Sequence, residues 1–245
     1  GHADAVTAVA HLPGGRRIIT CSWDGSLRLW DLERDTQIDD TWRDGESETG
    51  VLTIVLSPNG KTIASGSSDG TVILWDVETR KVISKWSCTK DVCSLCWRAD
   101  GERVVSGSGD GTVSVWDAES GELALGPIKT GDISVSAVIY SPDTTKIATG
   151  STDGKVRLWD VETRTVIAKW TGHADYVQSV CWSPHSQRVV SGSWDGTVTV
   201  WDVESKKIVL DPFETGHRRA FAVIYSPDNT RVATGGTIGG IKIWD

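Results

Sequence analysis

Ser65-Gly66-Ser67-Ser68-Asp69-Gly70-Thr71-Val72-Ile73-Leu74-Trp75-Asp76 is the stretch whose reading decides the fold. Asp69-Gly70 suits a tight primed hairpin turn, because Gly takes a positive φ without steric cost. A strand of small residues leads into that turn, and the apolar strand Val72-Ile73-Leu74-Trp75 leads out of it. Upstream, Val51-Leu52-Thr53-Ile54-Val55-Leu56 reads as a first strand, Ser57-Pro58-Asn59-Gly60 as a turn, and Lys61 to Gly66 as a second strand. Downstream, Thr79 to Trp86 reads as a fourth strand, more polar and therefore more exposed. No 3.6-residue apolar period appears, and short strands between regular turn signals predict an all-β chain.

The closing dipeptide returns at Trp30-Asp31, Trp75-Asp76, Trp116-Asp117, Trp159-Asp160, Trp201-Asp202 and Trp244-Asp245, in steps of 41 to 45 residues. A fixed period of that size marks a repeat architecture. The hairpin turn recurs at Asp24-Gly25, Asp69-Gly70, Asp110-Gly111, Asp153-Gly154 and Asp195-Gly196; in the sixth unit Ile238-Gly239-Gly240 replaces it and the carboxylate is lost. The first three strands of a unit are apolar on both faces, the pattern of sheets covered on both sides. A second period overlies the first. Residues 65–86 and 149–170 agree at 16 of 22 positions. Units three and five share Cys96-Trp97 and Cys181-Trp182, and units four and six share Ala137 to Pro142 and Ala222 to Pro227. Duplication of pairs explains this more simply than alternating ligand pockets.

Gly-His, a strand, Ser-Pro-Asp/Asn, Ser/Thr-Gly-Ser, Asp-Gly and Trp-Asp recur along essentially the whole chain, and on these motifs the sequence resembles the WD-repeat family. The resemblance implies a β-propeller of four-stranded blades around a central channel: one domain over residues 1–245, with blade cores at 1–31, 47–76, 88–117, 131–160, 172–202 and 216–245. The paired units also resemble the repeat arrays at the C-terminal ends of fungal NACHT-type NTPase proteins. Six three-strand cores but five outer strands are present. Ile241-Lys242-Ile243-Trp244 is therefore expected to be an unpaired edge of a blade without its outer strand, open to self-association. With no Met, the chain reads as an excised or processed segment.

A net charge of −8 argues against general binding to nucleic acid or anionic membranes. No apolar run approaches a transmembrane helix in length, and no signal peptide is visible. The cysteines, Cys21, Cys88, Cys93, Cys96 and Cys181, are odd in number and follow no disulfide framework, which suggests a reducing, cytoplasmic setting. Cys93-Ser94-Leu95-Cys96 falls in an expected strand, where residues three apart face opposite ways and cannot share a metal. The acidic stretch Asp35, Asp39, Asp40, Asp44, Glu46 and Glu48 lacks calcium-loop spacing and reads as a solvated outer strand and loop. No metal or cofactor is expected.

His2, Thr20, Asp24 and Trp30 in unit one, and His173, Ser191, Asp195 and Trp201 in unit five, invite a hydrolase reading. No strand–elbow–helix motif accompanies them. The family resemblance instead implies a buried hydrogen-bond network, which also gives the indole N–H the partner it needs. Unit six keeps His217, Thr234 and Trp244 with Ile238 in place of the Asp. Units two, three and four have Ser47, Cys88 and Gly131 in place of the His, and Asp132 stands where unit six has His217. Loss of Asp195 is expected to leave His173 and the Trp201 N–H unpaired.

The residues that do not repeat carry the functional signal. The position before the hairpin Asp reads Trp23, Ser68, Gly109, Thr152, Trp194 and Thr237; the position before strand one reads Ala5, Gly50, Asp91, Ser134, Tyr176 and Arg219. The resemblance puts the first of these on a partner-binding rim. Trp23, Tyr176, Trp194, Arg218, Arg219 and Phe221 fall on units five, six and one, and aromatic residues with Arg are what hot spots are made of. The expected function is a non-enzymatic interaction scaffold that docks a protein or peptide on the loop face. The alternative is a small-ligand or glycan-binding propeller, a class that usually repeats one pocket in every blade.

Overall fold

The computed structural model describes residues 1–45, 49–131 and 133–245. Glu46 and Glu48 of the acidic stretch, and Ser47 and Asp132 at the positions aligned with the His, lie outside the described residues. Among the described residues every regular element is a strand, and the strands form six antiparallel sheets, one per repeat. The class is an all-β, six-bladed β-propeller. The contacts fall into two units, residues 1–129 and 130–245.

In the first unit, blade one is β1 (Val6–His11), β2 (Arg17–Ser22), β3 (Leu27–Asp31) and β4 (Thr36–Trp42). Blade two is β5 (Val51–Leu56), β6 (Thr62–Ser67), β7 (Thr71–Asp76) and β8 (Val82–Ser87). Blade three is β9 (Val92–Trp97), β10 (Arg103–Ser108), β11 (Thr112–Asp117) and β12 (Leu123–Lys129). In the second unit, blade four is β13 (Val135–Tyr140), β14 (Lys146–Ser151), β15 (Lys155–Asp160) and β16 (Val166–Thr171). Blade five is β17 (Val177–Trp182), β18 (Arg188–Ser193), β19 (Thr197–Asp202) and β20 (Ile208–Glu214). Blade six has three strands, β21 (Arg219–Tyr225), β22 (Val232–Thr237) and β23 (Ile241–Trp244), with β23 at the edge.

The Trp-Asp dipeptide has a separate physical reason for each residue. Each indole N–H donates to a hydroxyl on the second strand of its own blade: Thr20, Ser65, Ser106, Thr149, Ser191 and Thr234, at 2.7 to 3.0 Å. A buried indole needs such a partner. The Asp that follows caps the turn into the outer strand. Asp76 Oδ1 accepts the Thr79 N–H at 2.6 Å, and Asp31, Asp117, Asp160 and Asp202 do the same for Arg34, Ser120, Thr163 and Ser205. Arg80 then takes a φ of +63° and closes the turn on the Asp76 carbonyl. That turn delays the fourth strand of blade two to Val82, three residues past the start expected from sequence.

Blades pack through aromatic pairs. The outer strand of one blade lays Trp42, Trp86, Trp170 or Phe213 against Trp75, Trp116, Trp201 or Trp244 of the next, with ring centroids 5.0 to 6.2 Å apart. Burying one such side chain stabilises by about 1.5–3 kcal/mol. The central Gly of Ser-Gly-Ser makes room for the neighbouring blade: a Cβ on Gly66 would sit 2.6 Å from the Val92 side chain, and one on Gly150 2.6 Å from Val177.

Candidate functional site

The His, hydroxyl, Asp and Trp residues of blade one form one hydrogen-bonded chain. Trp30 Nε1–H donates to Thr20 Oγ1 at 2.7 Å, and Thr20 Oγ1 meets His2 Nε2 at 2.7 Å. His2 Nδ1 meets Asp24 Oδ2 at 3.0 Å, and Asp24 also accepts the Ala3 and Ser26 N–H groups. An ionised carboxylate can only accept, so Nδ1 carries the hydrogen given to Asp24; in the neutral ring Nε2 then accepts from Thr20, which itself accepts from the indole. Burial alone would raise the Asp24 carboxyl; the Ser26 hydroxyl, the Ala3 N–H and His2 outweigh it and hold the group far below its ordinary value.

In blade one Ser26 Oγ stands 3.2 Å from His2 Nδ1 beside the direct carboxylate contact; in blade five the matching hydroxyl takes the place of that contact. His173 Nε2 meets Ser191 Oγ at 2.7 Å, but His173 Nδ1 meets Thr197 Oγ1 at 2.9 Å, and Thr197 in turn donates to Asp195 Oδ1 at 2.6 Å. Asp195 Oδ2 stands 3.5 Å from Nδ1. The indole N–H of Trp201 goes to Ser191, not to Asp195, so loss of Asp195 would not unpair it. The sequence reading missed Thr197 and its counterpart Ser26. Their signal was a hydroxyl two residues after the hairpin Asp, at the position where Lys155 interrupts the pattern. Ser191 is fully buried, and its oxygen is shared between the Trp201 N–H, from which it accepts, and His173 Nε2.

Blades without a His or without the Asp solve the same problem differently. In blade six a backbone oxygen replaces the carboxylate: His217 Nδ1–H donates to the Ile238 carbonyl at 2.8 Å. In blade three the Cys88 thiol lies 3.6 Å from Ser106 Oγ, in the place of the imidazole. In blade four, where Gly131 leaves space, the buried Arg157 side chain donates to both oxygens of Asp153, at 3.2 and 2.6 Å. Arg157 was not foreseen: the matching strand positions read Arg28, Ile73, Ser114, Thr199 and Lys242, so a cation there does not by itself set blade four apart.

The two non-repeating positions are neighbours in each blade. Trp194 N–H donates to the Tyr176 carbonyl at 2.9 Å, and Trp23 N–H to that of Ala5 at 3.0 Å. In the second unit these positions build a cluster. The Tyr176 and Trp194 ring centroids are 4.9 Å apart, Phe221 meets Trp194 edge-on at 6.4 Å, and Arg219 Cζ lies 4.3 Å from the Trp194 centroid. Tyr176 and Phe221 remain 40% and 42% exposed. Strand one of every blade carries a bulge, which turns an extra side chain toward this face. In blades one and four that side chain, Thr7 or Ser136, donates to a strand-one carbonyl of the next blade, Val51 or Val177. In blade five Gln178 takes the position and accepts Trp194 Nε1–H at 3.1 Å instead, fixing the indole. Arg218 is exposed beside Arg219. Trp23 belongs to the first unit, where its ring lies over Gly50; a Cβ there would come 2.3 Å from Trp23 Cε3.

Cys93 and Cys96 lie on β9, all five cysteines are free, and burial pushes the Cys21 thiol up to about 11. Among the described residues no group of three or more His, Cys, Asp or Glu could hold a metal ion, and no helix is long and apolar enough to cross a membrane. Asp44 of the acidic stretch pairs with Lys85.

Comparison with known proteins places the repeat in a family. The family described as WD domain, G-beta repeat matches residues 1–31, 41–76, 80–117, 126–160 and 164–202. The ribosome biogenesis protein WDR12 homolog of Chlamydomonas reinhardtii is 55% identical over 31 residues. That stretch is 13% of this chain and 7% of the length of that protein.

Proposed function

The chain belongs to the WD-repeat family, and from that premise we propose that it is a non-enzymatic interaction module that docks a protein or peptide on the loop face of blades five and six. Proteins of this family generally mediate protein interactions, and the loop-face residues that break the repeat are where a partner would be told apart. The observation that carries the reading is the stack of Tyr176, Trp194, Phe221 and Arg219: a half-exposed aromatic surface held in place by Gln178 and a guanidinium. Rigid aromatic groups beside Arg supply contact area at low entropic cost. Arg218 extends the patch, and Trp23 is a separate candidate contact in the first unit.

The His–hydroxyl–Trp sets are assigned to architecture, because each oxygen in them is already shared between an indole and an imidazole or thiol. No metal or cofactor, nucleic acid or membrane enters this reading. A cytoplasmic location suits five free thiols. The pairwise duplication supports a likeness to fungal NACHT-type arrays as part of the same proposal. The 31-residue match to the ribosome biogenesis protein spans the length of one repeat core, so it speaks to the repeat and not to a shared partner.

The test compares proteins retained by the immobilised chain with those retained by Trp194→Ala/Arg219→Ala. A partner held by the wild type should lose more than about 2 kcal/mol of binding energy in the double variant, with the variant still fully folded at the assay temperature. Undiminished retention removes the patch. Saturable binding on a glycan array would favour the ligand-binding alternative.

A further inference from the structure

Resting on the docking site just proposed, we infer that its occupant is an acidic peptide segment, in which an Asp or Glu carboxylate is taken by Arg219 and Arg218 while a neighbouring apolar side chain lies on Tyr176 and Phe221. Three observations lead there. First, Arg219 Cζ lies over the Trp194 ring, 4.3 Å from its centroid. A cation–π contact holds the guanidinium in place without using its N–H donors, which keep their capacity to bind a carboxylate. Second, Arg218 and Arg219 are consecutive and exposed, and neither has a carboxylate ion pair among the described residues. In a chain of net charge −8, two adjacent exposed arginines are a local reversal of sign. Third, the aromatic surface beside them is preorganised: Gln178 fixes the indole through its N–H, and Tyr176 and Phe221 flank the ring.

A carboxylate fits this site better than a phosphate dianion. Its two oxygens match the planar fork of one guanidinium. Two cations also balance a singly charged group more readily here, because the exposed Asp175 precedes Tyr176 in the same loop. The net charge of −8 opposes an acidic segment at long range, so recognition rests on the two guanidinium groups within a Debye length, about 8–10 Å at roughly 0.1–0.15 M salt.

The experiment uses the whole chain and an array of nine-residue peptides, each synthesised in three forms: with a central Glu or Asp, with the matching Gln or Asn, and with phosphoserine. The carboxylate forms should bind, the amide forms should bind roughly tenfold more weakly or worse, as expected for loss of charge-assisted hydrogen bonds, and Arg219→Glu should abolish the difference. Arg219 is exposed, so its replacement should leave the melting curve in place. If amide peptides bind equally well and Arg219→Glu has no effect while Trp194→Ala abolishes binding, the acidic specificity is wrong and the docking site stands. If only the phosphoserine forms bind, the ligand class is wrong. Binding that survives Trp194→Ala, or no binding to any form, refutes the site itself.

Discussion

Removing the Ser191 hydroxyl should cost more than removing the same group from blade three, and the difference follows from what each oxygen touches. Ser191 is fully buried and serves two ring nitrogens: it accepts the Trp201 indole N–H at 2.8 Å and meets His173 Nε2 at 2.7 Å. In Ser191→Ala both nitrogens stay buried without a partner. An unsatisfied buried polar group costs about 1–3 kcal/mol, so the two together should cost about 2–6 kcal/mol. In Ser106→Ala one indole, Trp116, loses its acceptor at 2.9 Å, and the other partner is the Cys88 thiol at 3.6 Å, a weak hydrogen-bonding group. That loss should stay near 1–3 kcal/mol, at roughly 2–4 °C of melting temperature per kcal/mol. The assay is denaturant unfolding followed by tryptophan fluorescence, comparing midpoints at a common slope. A double-mutant cycle isolates the cause: in a His173→Leu background, Ser191→Ala should cost no more than Ser106→Ala does in the wild type. Equal losses for the two single variants, or a Ser191→Ala loss below about 0.5 kcal/mol, which is the scale of ordinary surface changes, would refute the reasoning.

Four further outcomes are expected. Burial holds His173 below its ordinary value of 6.5; the unfolded chain therefore takes up the proton first, so stability should fall as pH drops below about 6.5, and His173→Gln should flatten that slope in pH-dependent melting. Arg157→Ala takes one of two cations from Asp153, leaving Lys155 at 3.1 Å, and should cost about 1–3 kcal/mol in chemical denaturation, whereas Arg157→Lys should recover only part of it. Ile238 is a β-branched residue at φ +66° and 75% exposed; Ile238→Asn should relieve a left-handed penalty of about 1 kcal/mol and raise the melting temperature, while the carbonyl that His217 uses is retained. Gly50→Ala should displace the Trp23 ring, visible as a change in fluorescence, and destabilise by about 1–3 kcal/mol.

The repeat, the hairpin turns and the first strands were legible because each rests on local chemistry. Asp-Gly turns, small residues before them and apolar residues after them act within a dozen positions, and β5 begins and ends where the pattern of Val51 to Leu56 places it. What escaped depends on the neighbouring blade or on a vacancy. Nothing local says that Trp42, Trp86 and Trp170 stack on the Trp of the following repeat. Arg157 is explained only by the Gly131 that leaves room for it, in a different strand connection. The loop-face residues were legible as exceptions to the period, but not their arrangement. The stack of Arg219 on Trp194 and the Gln178 bond that fixes the indole are properties of the assembled fifth and sixth blades. Trp23 shares Trp194's repeat position, yet it covers a glycine rather than meeting an Arg and a Phe.

The central claim is that recognition belongs to the Trp194 cluster and that the His–hydroxyl–Trp chains serve the fold. It is tested most directly by titrating one captured partner against the wild type and Trp194→Ala/Arg219→Ala, with melting curves recorded on the same samples. A loss of more than about 2 kcal/mol in affinity is expected, at a temperature where the melting curve shows the variant fully folded. Equal affinity for both, or a loss that merely follows unfolding, would contradict the claim.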